Sequence, residues 1–154
     1  MKKAISIFIH VLGTTFFSGH SKIAPGTAGS LVALLLYLTL PCVWYAQWFA
    51  AAVLLFFPGV WVSTEMEKKH GHDAHLITID ECVGMWLTLG LWPGRLPLVW
   101  SIAGFILFRV FDIIKPFPAG RSQKLRGGWG VMMDDVLAAI WAHVCLRILI
   151  ALFT

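Results

Sequence analysis

Long apolar stretches separated by short polar connections run along the whole chain. Residues 23–64 contain no Asp, Glu, Lys or Arg, a length that fits one generous membrane crossing or two short ones, because a spanning helix needs roughly 20 apolar residues. Pro41 near the middle favours a helical hairpin with its turn at this point. The pattern predicts helices at about 3–18, 28–40, 43–66, 80–92, 97–115 and 130–152.

Two of these segments have unusual lengths or positions. The segment 80–92 is too short to span a bilayer alone before the proline-rich turn at 93–97, so we expect a short or broken helix there. The first 20 residues resemble a secretory signal, but residues 19–22 do not form a small-residue cleavage site, which favours a retained, partly interfacial helix. The chain is therefore predicted to form a single domain over residues 1–154, an all-α, multi-pass helical membrane bundle.

Composition and charge agree with a membrane protein. Hydrophobic residues make up 58% of the chain and charged residues 13%, whereas soluble domains contain about a quarter charged residues. The net charge of +4 does not indicate a nucleic-acid partner, because the basic residues are not interleaved with aromatic residues on a soluble face. They flank the apolar segments instead, as is typical of loops on the cytoplasmic side. These residues are Lys2, Lys3, Lys68, Lys69, Lys115, Arg121, Lys124 and Arg126.

The cysteines exclude two further classes of site. There are three, Cys42, Cys82 and Cys145, widely spaced in apolar sequence. An odd number without a C-x-x-C pair is not the pattern of a disulfide framework or a zinc site, so buried free thiols are expected.

Acidic residues are concentrated in a few places. Five of the eight are Asp80 with Glu81, Asp112, and Asp134 with Asp135. An ionised carboxylate in or beside hydrocarbon costs several kcal/mol unless it is hydrated, paired or bound to a metal. Each adjacent pair could instead cap a helix N-terminus, where negative charge is favoured. For the pairs alone, both interpretations remain open.

Capping does not explain Asp112, which is predicted near the C-terminal end of a helix. Arg109, Asp112 and Lys115 recur every three residues, so they point to one side of that helix. One alternative is an Arg109–Asp112 pair that only neutralises itself. Together with the acids at the other helix ends, these groups could hold a hard divalent cation and a phosphate. Oxygen ligands of this kind suit Mg²⁺.

The segment at 25–33 also permits two interpretations. Gly26, Gly29, Ser30 and Ala33 have the spacing of a close helix–helix interface in a membrane. Alternatively, Gly26 and Thr27 lie at a helix start whose free backbone N–H groups face an anion.

The motifs of covalent phosphoryl transfer are incomplete in this chain. Ser18, Gly19 and His20 are similar to an element of phosphohistidine lipid phosphatases, but His143 lacks the aspartate that should follow it. The arginine that a cysteine phosphatase needs six residues after its nucleophile is missing, as is a D-x-D pattern. The remaining hydrolytic mechanism is direct attack by a metal-activated water.

Five motifs in order along the chain resemble the phosphatidylglycerophosphatase A family, magnesium-dependent enzymes of the bacterial inner membrane. They are PGTAGS at 25–30, HD at 72–73, DECVG at 80–84, FRVFDIIKP at 108–116 and GGWGVMMDD at 127–135. The resemblance implies hydrolysis of the terminal phosphomonoester of phosphatidylglycerophosphate to phosphatidylglycerol and inorganic phosphate. It also implies a multi-pass protein of the inner (cytoplasmic) membrane with its acidic site at the cytoplasmic interface.

Site residues follow from the same resemblance. It implies that Asp112 joins the metal shell or holds Arg109 in place. His72 and Asp73 could be catalytic or could make a structural hydrogen bond. The expected magnesium ligands, or the base that orients water, are Asp80, Glu81, Asp134 and Asp135. The expected substrate-binding residues are Thr27, His72, Asp73, Arg109, Lys115, Gly127 and Gly128, the two glycines allowing close approach of the lipid phosphate.

Two other functions use similar residues. A small transporter or channel subunit would use Arg109 and Asp112 as a gating or proton-relay pair and would release no phosphate. A lipid phosphotransferase would also need magnesium, but its D-G-x-x-A-R signature is absent from the sequence. The sequence predicts a membrane and a phospholipid substrate as partners and leaves the oligomeric state open.

Overall fold

The structure, a computed structural model, describes residues 2–41, 46–71, 74–92 and 94–154. Regular secondary structure within these ranges is helical, which confirms the all-α prediction. A 3₁₀ turn at Ser18–His20 follows the first helix. The α-helices are α1 (Lys2–Gly13), α2 (Pro25–Thr39), α3 (Gln47–His70), α4 (Ile79–Gly90), α5 (Leu98–Ile114), α6 (Ala119–Ser122) and α7 (Gly128–Phe153).

The largest difference from the predicted helices is at the end of α1. The helix stops at Gly13 instead of continuing to residue 18, because Thr15, Phe16 and Phe17 have left-handed backbone conformations with φ of 41°, 56° and 69°. The Thr14 hydroxyl stabilises this reversal by accepting a hydrogen bond from the Phe17 N–H at 3.0 Å. The chain therefore turns back toward the start of α4, where Thr78 N–H donates to the Gly13 carbonyl at 2.8 Å.

The start of α2 also differs from the prediction. The helix begins at Pro25 rather than at residue 28. Proline suits the first helical position, because a backbone N–H at this position would have no acceptor within the helix. This shift places Gly26 and Thr27 inside the first turn.

The short helix α4 lies at the centre of the bundle, in contact with α2, α3, α5 and α7. It has 12 residues, about 18 Å at 1.5 Å per residue, which agrees with the prediction of a helix too short to span a membrane. Of these, Trp86 and Leu87 are partly exposed and the others are buried. Four helices pack around α4, and its first turn lies near the ends of α2 and α5.

Close packing around α4 depends on Gly84. A Cβ at this position would lie 2.5 Å from the Phe108 ring of α5 and 3.2 Å from the Asp135 carbonyl of α7. Real Cβ atoms do not approach other atoms to 2.5 Å, so only glycine fits without a shift. Gly84 thus brings α4, α5 and α7 together next to the acidic residues of α4 and α7.

Two helices are long and apolar enough to cross a membrane, Gln47–His70 and Gly128–Phe153. Large apolar side chains also lie exposed on the outer faces of α3, α5 and α7, including Leu54, Phe57, Ile106, Ile140 and Ile148. Exposed apolar surface of this extent is typical of a protein in contact with lipid.

Candidate active site

A cavity of about 330 Å³ lies where the starts of α2 and α4 meet the end of α5 and the second turn of α7. Most of the predicted site residues line it, although they come from four different helix ends. The structure therefore brings together Thr27, Asp80, Glu81, Arg109, Asp112, Lys115, Asp134 and Asp135.

Three carboxylates form the most buried part of this cavity. Asp80, Glu81 and Asp135 each place one oxygen within 4.8 Å of the others. Their exposed fractions are 8%, 9% and 2%. Asp80 Oδ1, Glu81 Oε2 and Asp135 Oδ2 have no hydrogen-bond partner within the described part of the chain. Buried carboxylates without partners are costly, and a set of three oxygen ligands fits a hard divalent cation such as Mg²⁺.

Helix capping accounts for only one of the two acidic pairs. Asp80 and Glu81 lie in the first turn of α4, where the helix dipole favours negative charge. The first turn of α7 contains no acidic residue, because the helix begins at Gly128 and Asp134 and Asp135 follow in the second turn. Capping therefore does not explain the position of Asp134 and Asp135.

Arg109 lies between two acids of the cavity. One of its terminal nitrogens, Nη1, is 2.6 Å from Asp112 Oδ2 and 3.9 Å from Glu81 Oε1. The same nitrogen donates to the Ser30 hydroxyl at 3.4 Å. The buried Arg109 Nε has no hydrogen-bond partner among the described residues. The Arg109–Asp112 pair is thus formed, and it faces the cavity with a donor left over.

Lys115 supplies the second cation. It follows the last residue of α5 in a left-handed conformation with φ of 48°, and its Nζ donates to Asp134 Oδ2 at 2.6 Å. Burial alone would lower the pKa of Lys115, but the hydrogen bond and negative charge of Asp134 outweigh this effect and raise the pKa above its ordinary value. The ammonium therefore stays charged beside the cavity.

The two sequence interpretations of α2 concern residues that lie in different surroundings. Gly29 faces α4, since a Cβ there would lie 2.7 Å from Thr78 Cβ. Gly26 and Thr27 line the cavity, and a Cβ on Gly26 would lie 2.3 Å from Glu81 Oε1. No side chain caps this helix start, and first-turn N–H groups lack acceptors within a helix. Because Pro25 has no N–H and the Ala28 N–H donates to the Ala24 carbonyl at 3.0 Å, the remaining first-turn donors are the N–H groups of Gly26 and Thr27.

Gly127 and Gly128 do not line the cavity. The Gly128 N–H donates to the Thr64 hydroxyl at 2.9 Å, and a Cβ on Gly128 would lie 2.1 Å from the Val60 carbonyl oxygen. Their contacts are with α3, so the close approach that they allow is between two helices. A contact between neighbouring helices of this kind has no signal in a local sequence motif.

The cavity is also lined by a polar residue that the sequence did not indicate. His75 belongs to the connection between α3 and α4 and is exposed at the cavity wall. The only available signal was a histidine in a polar loop before the acidic pair. The predicted His72 and Asp73 lie outside the described residues.

Comparisons with known proteins agree with the motifs. A family model described as Phosphatidylglycerophosphatase A matches residues 11–150. A protein of Bacteroides thetaiotaomicron named putative phosphatidylinositol-3-phosphatase is 41% identical over 144 residues, 90% of this chain and 91% of the relative. Phosphatidylglycerophosphatase A of Haemophilus influenzae is 41% identical over 147 residues, 92% and 90% of the two chains.

A more distant relative extends the comparison. Phosphatidylglycerophosphatase A of Escherichia coli is 35% identical over 133 residues, which cover 85% of this chain and 77% of the relative. No solved structure matches the chain. The family match and the identity over most of each relative lead to one conclusion: the chain belongs to the phosphatidylglycerophosphatase A family of phosphatases.

Proposed function

We propose that the protein hydrolyses the terminal phosphomonoester of phosphatidylglycerophosphate to phosphatidylglycerol and inorganic phosphate, with Mg²⁺ as cofactor. The family membership supports the reaction class. The observation that carries the proposal is a set of carboxylate oxygens of Asp80, Glu81 and Asp135 that have no partner among the described residues. These three residues line the same cavity as Arg109 and Lys115. Carboxylates can ligate the metal ion that accompanies a phosphate. Cationic side chains beside them can bind the phosphate oxygens.

The acids and cations would have separate roles. Asp80, Glu81 and Asp135 would hold the Mg²⁺ ion, and Asp134 lies next to them. When bound, the ion supplies positive charge to the phosphoryl oxygens and lowers the pKa of a water. Any of these carboxylates that is not a ligand is close enough to orient the attacking water.

Phosphate binding would use the other side of the cavity. Arg109 and Lys115 would bind the non-bridging phosphate oxygens, since charge-assisted hydrogen bonds to phosphate are among the strongest in proteins. The N–H groups at the start of α2, near Thr27, would add donors to the same oxygens. Asp112 fixes the Arg109 guanidinium at 2.6 Å, and Asp134 fixes the Lys115 ammonium at the same distance, so both clamps are oriented before the substrate arrives.

The arrangement of the helices suits a lipid substrate. Acyl chains would lie along the exposed apolar faces of the bundle while the phosphomonoester enters the cavity at the helix ends. Basic residues lie in the segments near this end, including Lys68, Arg121 and Lys124. By the positive-inside rule we place this end at the cytoplasmic face of the bacterial inner membrane, with the bundle crossing it more than once.

The test is phosphate release from phosphatidylglycerophosphate by the purified full-length protein, with Mg²⁺ and then with excess chelator. We expect release that requires Mg²⁺ and falls on the order of 100-fold or more in Asp134→Asn and Asp135→Asn, as when a charge-stabilising group is removed from an active site. The matched control is Glu65→Gln, which removes a carboxylate of α3 that pairs with Lys68 outside the cavity.

Each outcome has a defined meaning. Phosphate release that persists in chelator, or that is unchanged in both aspartate variants, would refute the proposed site. Absence of release under any condition would favour the transporter alternative. Equal losses of phosphate release in Glu65→Gln and Asp135→Asn would show that the loss does not depend on whether the carboxylate lies in the cavity.

A second candidate substrate comes from the Bacteroides relative, which is named for a phosphoinositide. Phosphatidylinositol 3-phosphate is also a lipid phosphomonoester, and the cavity residues would bind its phosphate in the same way. The ratio of the rates on the two lipids decides between the head groups. A higher rate on the phosphoinositide would replace the proposed substrate and keep the proposed site.

A further inference from the structure

A second and larger cavity, of about 420 Å³, lies between α1 and the last turns of α3. It shares no lining residue with the acidic cavity. Its wall combines cationic and imidazole groups with apolar side chains, among them Ser6, Ile7, His10, Phe17, Lys69 and His70. We propose that this cavity binds the head group of an anionic phospholipid.

The charge of Lys69 is the first reason. Its Nζ lies 3.4 Å from the Ser6 hydroxyl, and no carboxylate within the described ranges is close enough to form a salt bridge with it. Its neighbour Lys68 differs, because it pairs with Glu65 at 2.6 Å and does not line the cavity. Among the described residues, the Lys69 ammonium group thus has no carboxylate partner, and it lines the cavity where an anion would bind.

Imidazole groups add hydrogen-bonding capacity to the same cavity. His10 Nε2 and His20 Nε2 are 2.8 Å apart, a distance at which one ring donates and the other accepts. His70 lines the same cavity at the end of α3. A phosphodiester at this position would meet Lys69 as the cation, with the His10 and His70 imidazole rings as further hydrogen-bonding groups of the wall.

The apolar wall selects a lipid over a soluble anion. Ile7 is 56% exposed and Phe17 54% exposed, so their side chains continue the cavity onto an open apolar surface. A free phosphate would leave this surface in water, whereas the glycerol and first acyl carbons of a phospholipid would cover it. Charge on one side and exposed apolar surface on the other complement an anionic amphiphile.

The experiment measures lipid retained by the full-length protein in detergent, incubated with equal amounts of phosphatidylglycerol and phosphatidylcholine and read by native mass spectrometry. We expect the wild-type protein to retain phosphatidylglycerol preferentially. Lys69→Gln should lower this preference by about fivefold, the effect of one lysine near an anionic lipid surface. Lys68→Gln is the matched control, since it removes the same charge one residue away.

Two more variants separate the site from other causes. Ile7→Trp fills the cavity without changing the charge and should also lower retention. Lys124→Gln removes an exposed lysine that lines neither cavity and should leave the preference unchanged. Equal losses in Lys68→Gln and Lys69→Gln, an equal loss in Lys124→Gln, or unchanged preference in both Lys69→Gln and Ile7→Trp would each overturn the proposal.

Discussion

Gly26 allows the most direct test of how closely α2 must approach the acidic cavity. A Cβ added at this position would lie 2.3 Å from Glu81 Oε1 and 3.1 Å from a terminal nitrogen of Arg109. The atoms that it would meet are the ends of flexible side chains, so the helix itself need not move. Gly26→Ala should therefore displace the Glu81 carboxylate and leave the fold in place.

The magnitude follows from the geometry. Ordinary van der Waals contact begins near 3.4 Å, so the Glu81 oxygen must move by roughly 1 Å, a misplacement that costs catalysis on the order of 100-fold. We expect kcat/KM for phosphate release to fall by about this factor and the Mg²⁺ concentration needed for half-maximal activity to rise. The melting temperature in detergent should change little, because alanine also favours the helix by up to about 1 kcal/mol relative to glycine.

Gly29→Ala is the matched control, one turn further along the same helix. There the added Cβ would meet Thr78 Cβ at 2.7 Å and the Thr78 backbone carbonyl at 3.2 Å, atoms that cannot swing aside. Overpacking of this kind costs about 1–3 kcal/mol, so this variant should lose stability first. Full activity of Gly26→Ala at the wild-type Mg²⁺ requirement would refute the role of Glu81 in holding the ion.

Three other predictions follow from the contacts of the site. Lys115→Met removes the ammonium group that contacts Asp134 Oδ2 and would act as a phosphate clamp, so kcat/KM for phosphate release should fall on the order of 100-fold; an unchanged value would remove Lys115 from the site. Adding Mg²⁺ to metal-free protein should stabilise the fold by about 2.7 kcal/mol at 100 times the dissociation constant, seen as a rise in melting temperature that Asp135→Asn weakens and Glu65→Gln retains. Thr64→Ala removes the hydrogen bond to the Gly128 N–H and should cost about 1 kcal/mol of stability with KM unchanged, whereas a raised KM would connect this contact to the substrate.

The sequence predicted the helices well wherever a long apolar run decided them. It did not predict the end of α1, because the left-handed conformations after Thr14 depend on a side-chain hydrogen bond and on contacts with Thr78, far along the chain. The helix α6 has only four residues, too few for a periodic pattern. Local hydropathy therefore locates the long helices but does not predict the turns that set their directions.

The candidate site was predictable in its residue types and less so in its geometry. An expected start of α7 near residue 130 made Asp134 and Asp135 look like possible helix caps, whereas the observed start at Gly128 moves them into the second turn. The glycines before them seemed suited to a phosphate, yet Gly128 packs on Val60 of α3. Contacts between helices decide both the start of α7 and the packing of Gly128, and no local sequence pattern predicts such contacts.

The burial of ten of the twelve residues of α4 has a consequence for how freely its sequence can vary. An exposed apolar position on α7, such as Ile148, should tolerate many apolar side chains, so the sequence of that helix can vary over much of its surface. In α4, each position outside Trp86 and Leu87 is packed against a neighbouring helix, and a change in volume at one of them alters the spacing of two or three helices at once. We therefore expect saturation mutagenesis to find α4 the least permissive helix of the bundle, including at positions far from the acidic residues.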